Sequence, residues 1–133
     1  HFNLEDLGRR PVSLADQRSE IVLVHFFATW CEPCRDELPA LNRLVARSNP
    51  EKLRVLTISV AEVDIRVRNF VDKLPVNFPV LLDRDRSVAK AWDVNALPTT
   101  YILDRSLRPR LFVERDYDWD RLDVGQILKS FGS

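Results

Sequence analysis

The chain has 133 residues, of which 45% are hydrophobic and 30% charged, and its 20 basic and 20 acidic residues cancel. This length fits a single domain over residues 1–133, and the composition is typical of a soluble folded protein, which excludes disorder. The charges are interspersed, so no surface for nucleic acid is predicted, and the longest apolar run, Ile21–Ala28, is too short to cross a membrane.

The first part of the chain predicts a hairpin, a strand and a helix. Two short segments on either side of Gly8 predict an N-terminal β-hairpin at the edge of a sheet. The run IVLVHFFA (Ile21–Ala28) is apolar on both faces and predicts a strand in the middle of a sheet that helices cover on both sides. Apolar residues at helical spacing then predict a helix over residues 33–48, with a kink at Pro39.

The rest of the chain alternates between strand and helix patterns, which favours one layered α/β domain. The predicted elements are strand Leu53–Val60, helix Val63–Leu74, strand Phe78–Asp83, a helix of about two turns around Val88 and Trp92, strands Thr99–Asp104 and Arg110–Glu114, and a closing amphipathic helix with Asp118 as its N-cap.

The only two cysteines, Cys31 and Cys34, are spaced C-x-x-C where the strand gives way to the helix. A loop this small adds little as a structural crosslink, which favours reactivity. Free N–H groups and the helix dipole stabilise a thiolate in the first turn, so Cys31 is predicted to attack and Cys34 to resolve the mixed disulfide. Pro33 suits the first turn, and the Glu32 carboxylate should disfavour the thiolate, which predicts a reducing pair.

A C-x-x-C pair has three other possible uses: a zinc site, a copper(I) site and a peroxidase centre. Zinc normally takes four ligands, and beyond carboxylates only His1 and His25 accompany the cysteines, so no metal site is predicted. Copper(I) accepts two thiolates, so a copper carrier remains an alternative, although the chain contains no methionine. A peroxidase finds little support in a C-x-x-C pair at a helix start.

The sequence resembles the thioredoxin superfamily and, within it, the extracytoplasmic ResA/TlpA branch, from about Phe2 to Phe131. The segment NALPTTYILD is similar to the cis-proline segment of that branch, and residues 59–83 resemble its helix-containing insertion. The segment FFATWCEPCRDELPAL matches the signature W-C-x-P-C-x-x-E-x-P at Trp30, Cys31, Pro33, Cys34, Glu37 and Pro39.

The resemblance implies a thioredoxin fold, in which a central mixed β-sheet flanked by helices carries an N-terminal β-hairpin and a helical insertion in the middle. It also implies a cis bond before Pro98, packed against the cysteine pair. The backbone at Leu97 would then pair with an extended partner peptide. Trp30, Pro33, Leu97 and Pro98 are therefore expected to form the substrate-binding surface.

Two further residues are candidates for proton supply or tuning. Glu62 follows a strand at its carboxyl end and is similar to an active-site glutamate of ResA-like proteins; a helix-start carboxylate is the alternative. His25 lies six residues before Cys31, where thioredoxins carry a buried acid and the ResA/TlpA branch often carries asparagine. It could tune the pair by titrating near neutral pH, but we favour a hydrogen-bonded core residue.

The sequence therefore predicts an enzyme, a monomeric thiol:disulfide oxidoreductase that reduces disulfides in partner proteins and needs no cofactor beyond the Cys31–Cys34 pair. Family membership suggests cytochrome c maturation or assembly of the copper site of cytochrome oxidase, with a membrane or periplasmic thiol as electron donor. The resemblance implies an extracytoplasmic, periplasmic location. The chain begins at His1 without a charged-then-apolar leader, so any targeting segment or membrane anchor is expected to have been removed or never to have been present.

Overall fold

The computed structural model describes residues 1–132, which form a seven-stranded sheet with helices packed on both faces. The strands are β1 Asn3–Asp6, β2 Pro11–Ser13, β3 Ile21–Phe27, β4 Leu53–Val60, β5 Val80–Asp83, β6 Thr99–Leu103 and β7 Pro109–Val113. The helices are α1 Glu32–Arg47, α2 Asp64–Lys73, α3 Ser87–Ala91 and α4 Val124–Ser130, with 3-10 turns at Leu14–Asp16 and Trp119–Arg121.

The sheet is mixed, and its strands lie in the order β2-β1-β5-β4-β3-β6-β7. The strands β3, β4 and β5 run parallel to one another, whereas β6, β7 and the β1–β2 hairpin pair antiparallel to their neighbours. The hairpin occupies one edge of the sheet, and β3 lies inside it with every residue buried, as predicted. A strand buried on both faces has no polar face, which explains its continuous apolar run.

Alternate side chains of β3 enter two separate cores, because successive residues of a strand point to opposite faces. Val22, Val24 and Phe26 pack with Ala89 of α3 on one face. Leu23 and Phe27 point to the other face, where their clusters include side chains of α1, α2 and α4. His25 lies between Leu23 and Phe27, so its imidazole enters the second core, on the side of α1.

The C-terminal region differs from the prediction. Asp118 does not cap the closing helix; its carboxylate accepts a hydrogen bond from the Asp120 N–H and caps the 3-10 turn instead. The closing helix α4 begins at Val124, and its cap is Asp123, which accepts from the Gln126 N–H. Both aspartates carry the same local capping signal, and the buried Trp119 fixes the turn that separates them.

Candidate active site

The cysteine pair lies at the junction of β3 and α1, as the sequence predicted. Cys31 is the N-cap residue of α1 and forms a disulfide with Cys34, with the two Cα atoms 5.2 Å apart. The backbone N–H of Cys34 donates to Cys31 Sγ over 3.3 Å. Cys31 keeps 5% of its surface exposed, whereas Cys34 keeps none. Cys31 is therefore the more accessible residue of the pair, and its place at the N-terminus of α1 is one where a thiolate is stabilised.

A groove of about 310 Å³ lies beside the disulfide and is lined by Trp30, Leu97 and their neighbours. The Trp30 side chain is 68% exposed. The Leu97–Pro98 bond is cis, as the resemblance implied, and Leu97 packs against the cluster that holds both cysteines. The structure thus brings Trp30 and Leu97 together at one groove, whereas Pro98 is buried and does not line that groove.

The two residues between the cysteines, Glu32 and Pro33, are exposed in the first turn of α1. Neither lines the groove that Trp30 and Leu97 share. Pro33 occupies a position where the missing N–H costs no helical hydrogen bond.

Glu62 is buried and holds the segment that leads into the redox site. Its Oε1 accepts hydrogen bonds from the Thr29 N–H and the Ser59 hydroxyl, each over 2.9 Å. Its Oε2 accepts from the Thr29 hydroxyl. Because α2 begins at Asp64 and its N-cap is Val63, Glu62 is not a helix-start carboxylate, and that alternative is wrong. The carboxylate instead anchors Thr29, two residues before Cys31.

His25 is fully buried, and only one of its two ring nitrogens has a hydrogen-bond partner. Its Nδ1 lies 2.8 Å from the hydroxyl oxygen of Thr100 on β6. Its Nε2 lies 3.6 Å from Glu37 Oε1, and neither of these two atoms makes a hydrogen bond within residues 1–132. Burial lowers the pKa of His25 to about 3, so the ring is neutral near pH 7. The favoured interpretation, a hydrogen-bonded core histidine, accounts for one ring nitrogen and leaves the other unexplained.

Glu37 is a buried carboxyl group whose importance the sequence analysis missed. Its Oε2 accepts hydrogen bonds from the Tyr117 N–H over 2.8 Å and from the Trp119 indole N–H over 2.7 Å. Burial raises the pKa of Glu37 to about 7; the two hydrogen bonds work against that rise, and the charge of Asp116 adds to it.

A sequence signal for this burial exists. Glu37 follows Cys34 by three residues and precedes Leu41 by four, so it shares the apolar face of α1 with them. In the sequence, Glu37 stands out only as a position of the C-x-x-C signature. A carboxylate on an apolar helix face rarely lacks a partner, and that rule would have pointed to a buried network.

Within residues 1–132, no group of three or more His, Cys, Asp or Glu side chains is arranged to hold a metal ion. A copper(I) ion on this site would therefore rest on the sulfurs of Cys31 and Cys34 alone.

A mixed sheet with a cysteine pair at a helix start, against which the residue before a cis-proline packs, defines the thioredoxin-fold class. The family model described as "AhpC/TSA family" matches residues 1–108. The chain belongs to that family.

Named relatives point to the same class. The chain is 38% identical over 104 residues to the thiol-disulfide oxidoreductase ResA of Bacillus subtilis (strain 168), covering 78% of this chain and 58% of that protein. It is 34% identical over 105 residues to ResA of Geobacillus thermodenitrificans (strain NG80-2), covering 79% and 60%. The chain thus spans about three fifths of the length of the curated relatives it matches.

Solved structures confirm the predicted thioredoxin fold. A thiol:disulfide interchange protein of the thioredoxin family from Chlorobium tepidum TLS is 25% identical, with a TM-score of 0.77 over 96% of this chain and 92% of its own. The pneumococcal exposed lipoprotein thioredoxin Etrx1 from Streptococcus pneumoniae strain TIGR4 is 22% identical, with a TM-score of 0.83 over 97% and 98%.

Proposed function

We propose that this protein is a thiol:disulfide oxidoreductase that reduces disulfide bonds in extracytoplasmic partner proteins. The observation that carries the proposal is the Cys31–Cys34 pair at the start of α1, in which Cys31 keeps a small exposed surface and Cys34 is fully buried. The ResA relatives are named thiol-disulfide oxidoreductases, which supports the same activity. The pair itself is the redox centre, and no further cofactor is required.

The reaction begins with the reduced pair. The Cys31 thiolate attacks one sulfur of the partner's disulfide, and the other partner sulfur leaves as a thiolate and takes up a proton. Cys34 then loses its proton and attacks Cys31 Sγ, which breaks the mixed disulfide and releases the second partner thiol. Two electrons pass to the partner, and the Cys31–Cys34 disulfide remains. Glu62, anchored to Thr29 close to this site, assists the proton transfer at Cys34.

The partner docks over the groove beside the disulfide. Trp30 offers an exposed aromatic face there, and aromatic residues commonly carry a large share of docking energy. The backbone at Leu97, before the buried Pro98, pairs with an extended segment of the partner. Pro33 completes the surface from the first turn of α1.

The setting is extracytoplasmic, and electrons come from a membrane or periplasmic thiol donor. The resemblance to the ResA/TlpA branch suggests the pathway, which is cytochrome c maturation or assembly of the copper site of cytochrome oxidase. None of the helices within residues 1–132 has the length and apolar character needed to cross a membrane. The protein acts as a monomer.

Trapping tests the proposal. In a Cys34→Ser variant the resolving thiol is absent, so a partner should remain covalently bound to Cys31 after exposure to a periplasmic extract and should be released by dithiothreitol. A Cys31→Ser, Cys34→Ser double variant is the control and should trap nothing. A reduction potential near the thioredoxin value of about −270 mV is expected, and one near about −120 mV would contradict a reducing role. No adduct, together with tight one-to-one copper(I) binding, would favour the copper carrier.

A further inference from the structure

Two buried polar atoms face each other behind the redox site without a hydrogen bond. His25 Nε2 on β3 and Glu37 Oε1 on α1 are 3.6 Å apart, and both are inaccessible to solvent. Buried nitrogen and oxygen atoms are normally paired, and an unpaired one is costly. The separation is slightly longer than a hydrogen bond, so a proton between the two atoms would satisfy both with a small shift.

The remaining hydrogen bonds of the two side chains limit where that proton resides. Glu37 Oε2 already accepts two N–H donors, from Tyr117 and Trp119. His25 Nδ1 is paired with the Thr100 hydroxyl, which can either donate or accept. Two neutral-histidine arrangements therefore remain: a protonated Glu37 that donates to Nε2, or a carboxylate that accepts from an Nε2–H.

Charge decides between these arrangements. A Glu37 carboxylate paired with a neutral histidine leaves an uncompensated negative charge in the core, with the charge of Asp116 nearby. A protonated histidine is disfavoured because His25 is completely buried. The protonated acid leaves no charge on either side chain and satisfies every hydrogen-bonding atom of the carboxyl group.

We propose that Glu37 carries a proton on Oε1 and donates it to Nε2 of His25, so that the pair is a neutral proton-holding dyad on the inner side of the redox helix. In this dyad His25 is the positioning residue, because its Nε2 accepts the hydrogen bond that the Glu37 proton makes. The Nδ1–H of the ring then donates to Thr100.

The surroundings of the dyad contain few other titratable groups. The strand residues paired with His25 are threonines, Thr57 on β4 and Thr100 on β6. The helices α2 and α4 contribute apolar side chains to this face. The titratable groups beside Glu37 are Cys34, one turn earlier on α1, and Asp116 and Tyr117 on the C-terminal segment.

The dyad matters for the proposed function because Cys34 must lose a proton in the resolving step, and this part of the inference rests on that function. While Glu37 holds its proton, it places no charge on the buried face of α1 one turn from the thiolate that forms at Cys34. Above the pKa of Glu37 that charge appears and opposes the thiolate. The pKa of the Cys34 thiol should therefore be lower in Glu37→Gln, whose amide is neutral at every pH.

The deciding measurement is NMR on the whole protein without any partner. The chain has two histidines, His1 and His25, so a His25→Leu variant assigns the ring signals. Long-range ¹H–¹⁵N spectra should show a neutral His25 with the proton on Nδ1 at about pH 5.5, changing to the Nε2–H tautomer as Glu37 ionises above about pH 7. The Glu37 carboxyl ¹³C signal should titrate near neutral pH in the wild type and at a higher pH in His25→Leu, because leucine cannot donate to the carboxylate as the Nε2–H tautomer does.

Other results overturn the dyad. An Nε2–H tautomer or a charged imidazole at about pH 5.5, a Glu37 that titrates near its ordinary value of about 4.3, or a Glu37 titration unchanged in His25→Leu would each do so. Thr100→Val is the conservative second variant if His25→Leu does not fold; it should weaken the preference for the Nδ1–H tautomer. These readouts need no partner protein, so their failure is distinct from a failure to trap a substrate on Cys31.

Discussion

The indole N–H of Trp119 donates to Oε2 of Glu37 over 2.7 Å, and this hydrogen bond joins residues 82 positions apart in the chain. It connects the 3-10 turn near the C terminus to the inner face of the helix that carries the cysteines. Together with the N–H of Tyr117, it is what stabilises the charged form of a carboxyl group buried one turn from Cys34. The C-terminal segment thus influences the electrostatics of the redox helix.

Replacing Trp119 by phenylalanine should raise the pKa of Glu37 above its present value of about 7, because a hydrogen bond to the carboxylate is lost. It should also lower the free energy of unfolding by about 0.5–1.5 kcal/mol, since the buried Oε2 loses one of its two donors and keeps the Tyr117 N–H. Urea unfolding and the Glu37 carboxyl NMR titration measure the two effects.

Trp92→Phe is the matched control for that variant. Trp92 packs in the core on the other side of the sheet, and its ring nitrogen makes no hydrogen bond within residues 1–132. The prediction is contradicted if the free energies of unfolding of Trp119→Phe and Trp92→Phe differ by less than about 0.5 kcal/mol and the pKa of Glu37 is unchanged. The hydrogen bond from Trp119 would then contribute nothing measurable to stability.

The dyad should leave a flat region in the dependence of stability on pH. Burial lowers the pKa of His25 to about 3, so unfolding takes up a proton below the ordinary value of 6.5, and this contribution makes stability rise with pH from about 3 to 6.5. Burial raises the pKa of Glu37 to about 7 from 4.5, so its contribution to stability is lost as pH rises through that window. Between about pH 4.5 and 6.5 the two contributions oppose each other and cancel.

Single variants should expose each contribution. In Glu37→Gln only the histidine contribution remains, so stability should rise with pH by up to about 1.4 kcal/mol per unit below about pH 6.5. In His25→Asn only the carboxyl contribution remains, so stability should fall with rising pH as long as Glu37 stays desolvated. Urea midpoints at a series of pH values test this, and parallel curves for the wild type and both variants would contradict it.

Glu62→Gln should slow the resolving step, because an amide cannot carry the proton that Cys34 releases. General acid–base groups contribute about 10²–10⁴-fold, so a loss at the lower end of that range is expected. Rapid mixing of the reduced protein with 5,5′-dithiobis(2-nitrobenzoate) separates the steps, since the attack by Cys31 and the resolution by Cys34 each release one coloured thiolate.

Thr29→Val separates anchoring from proton transfer at Glu62. This variant removes the hydroxyl that donates to Glu62 Oε2 but keeps the carboxylate and the Thr29 backbone donor. The rate of the resolving step should fall much less in Thr29→Val than in Glu62→Gln. Equal losses in the two variants would mean that Glu62 acts only by holding the segment before Cys31.

Trp30→Ala should weaken reduction of a folded protein substrate such as insulin while leaving the small chromogenic disulfide almost unaffected. Truncating an anchor residue at an interface commonly costs more than about 1 kcal/mol, so kcat/KM toward insulin should fall about fivefold to tenfold or more. Phe112→Ala is the control, because Phe112 is 59% exposed on β7, away from the groove. Similar losses in both variants would rule out Trp30 as a docking residue.

The strand and helix pattern of the molecule was predictable because it depends on local spacing. The run at Ile21–Ala28 and the turn at Gly8 each predict an element that needs no distant partner. The pairing of His25 with Glu37 was not predictable in the same way. Helical spacing places Glu37 on the buried face of α1, but only the packing of α1 on β3 brings its Oε1 to His25 rather than to another polar atom.

The two aspartate caps show a second limit. Asp118 and Asp123 have the same local signal for a helix start, and the prediction took the first. What decides between them is the burial of Trp119, which depends on a partner on α1 far away in sequence.

The hydrogen bonds from Tyr117 and Trp119 also bear on where this redox domain ends. The family model stops at residue 108, whereas both donors to Glu37 lie beyond that point. A minimal domain cut at that boundary, or a chimera that joins residues 1–108 to the tail of a relative, would keep both cysteines and the cis-proline and still leave a buried carboxyl without its donors. In this chain the cysteine motif and the residues that complete its environment belong to different stretches of sequence, so we expect a transplant of the cysteine pair to need both.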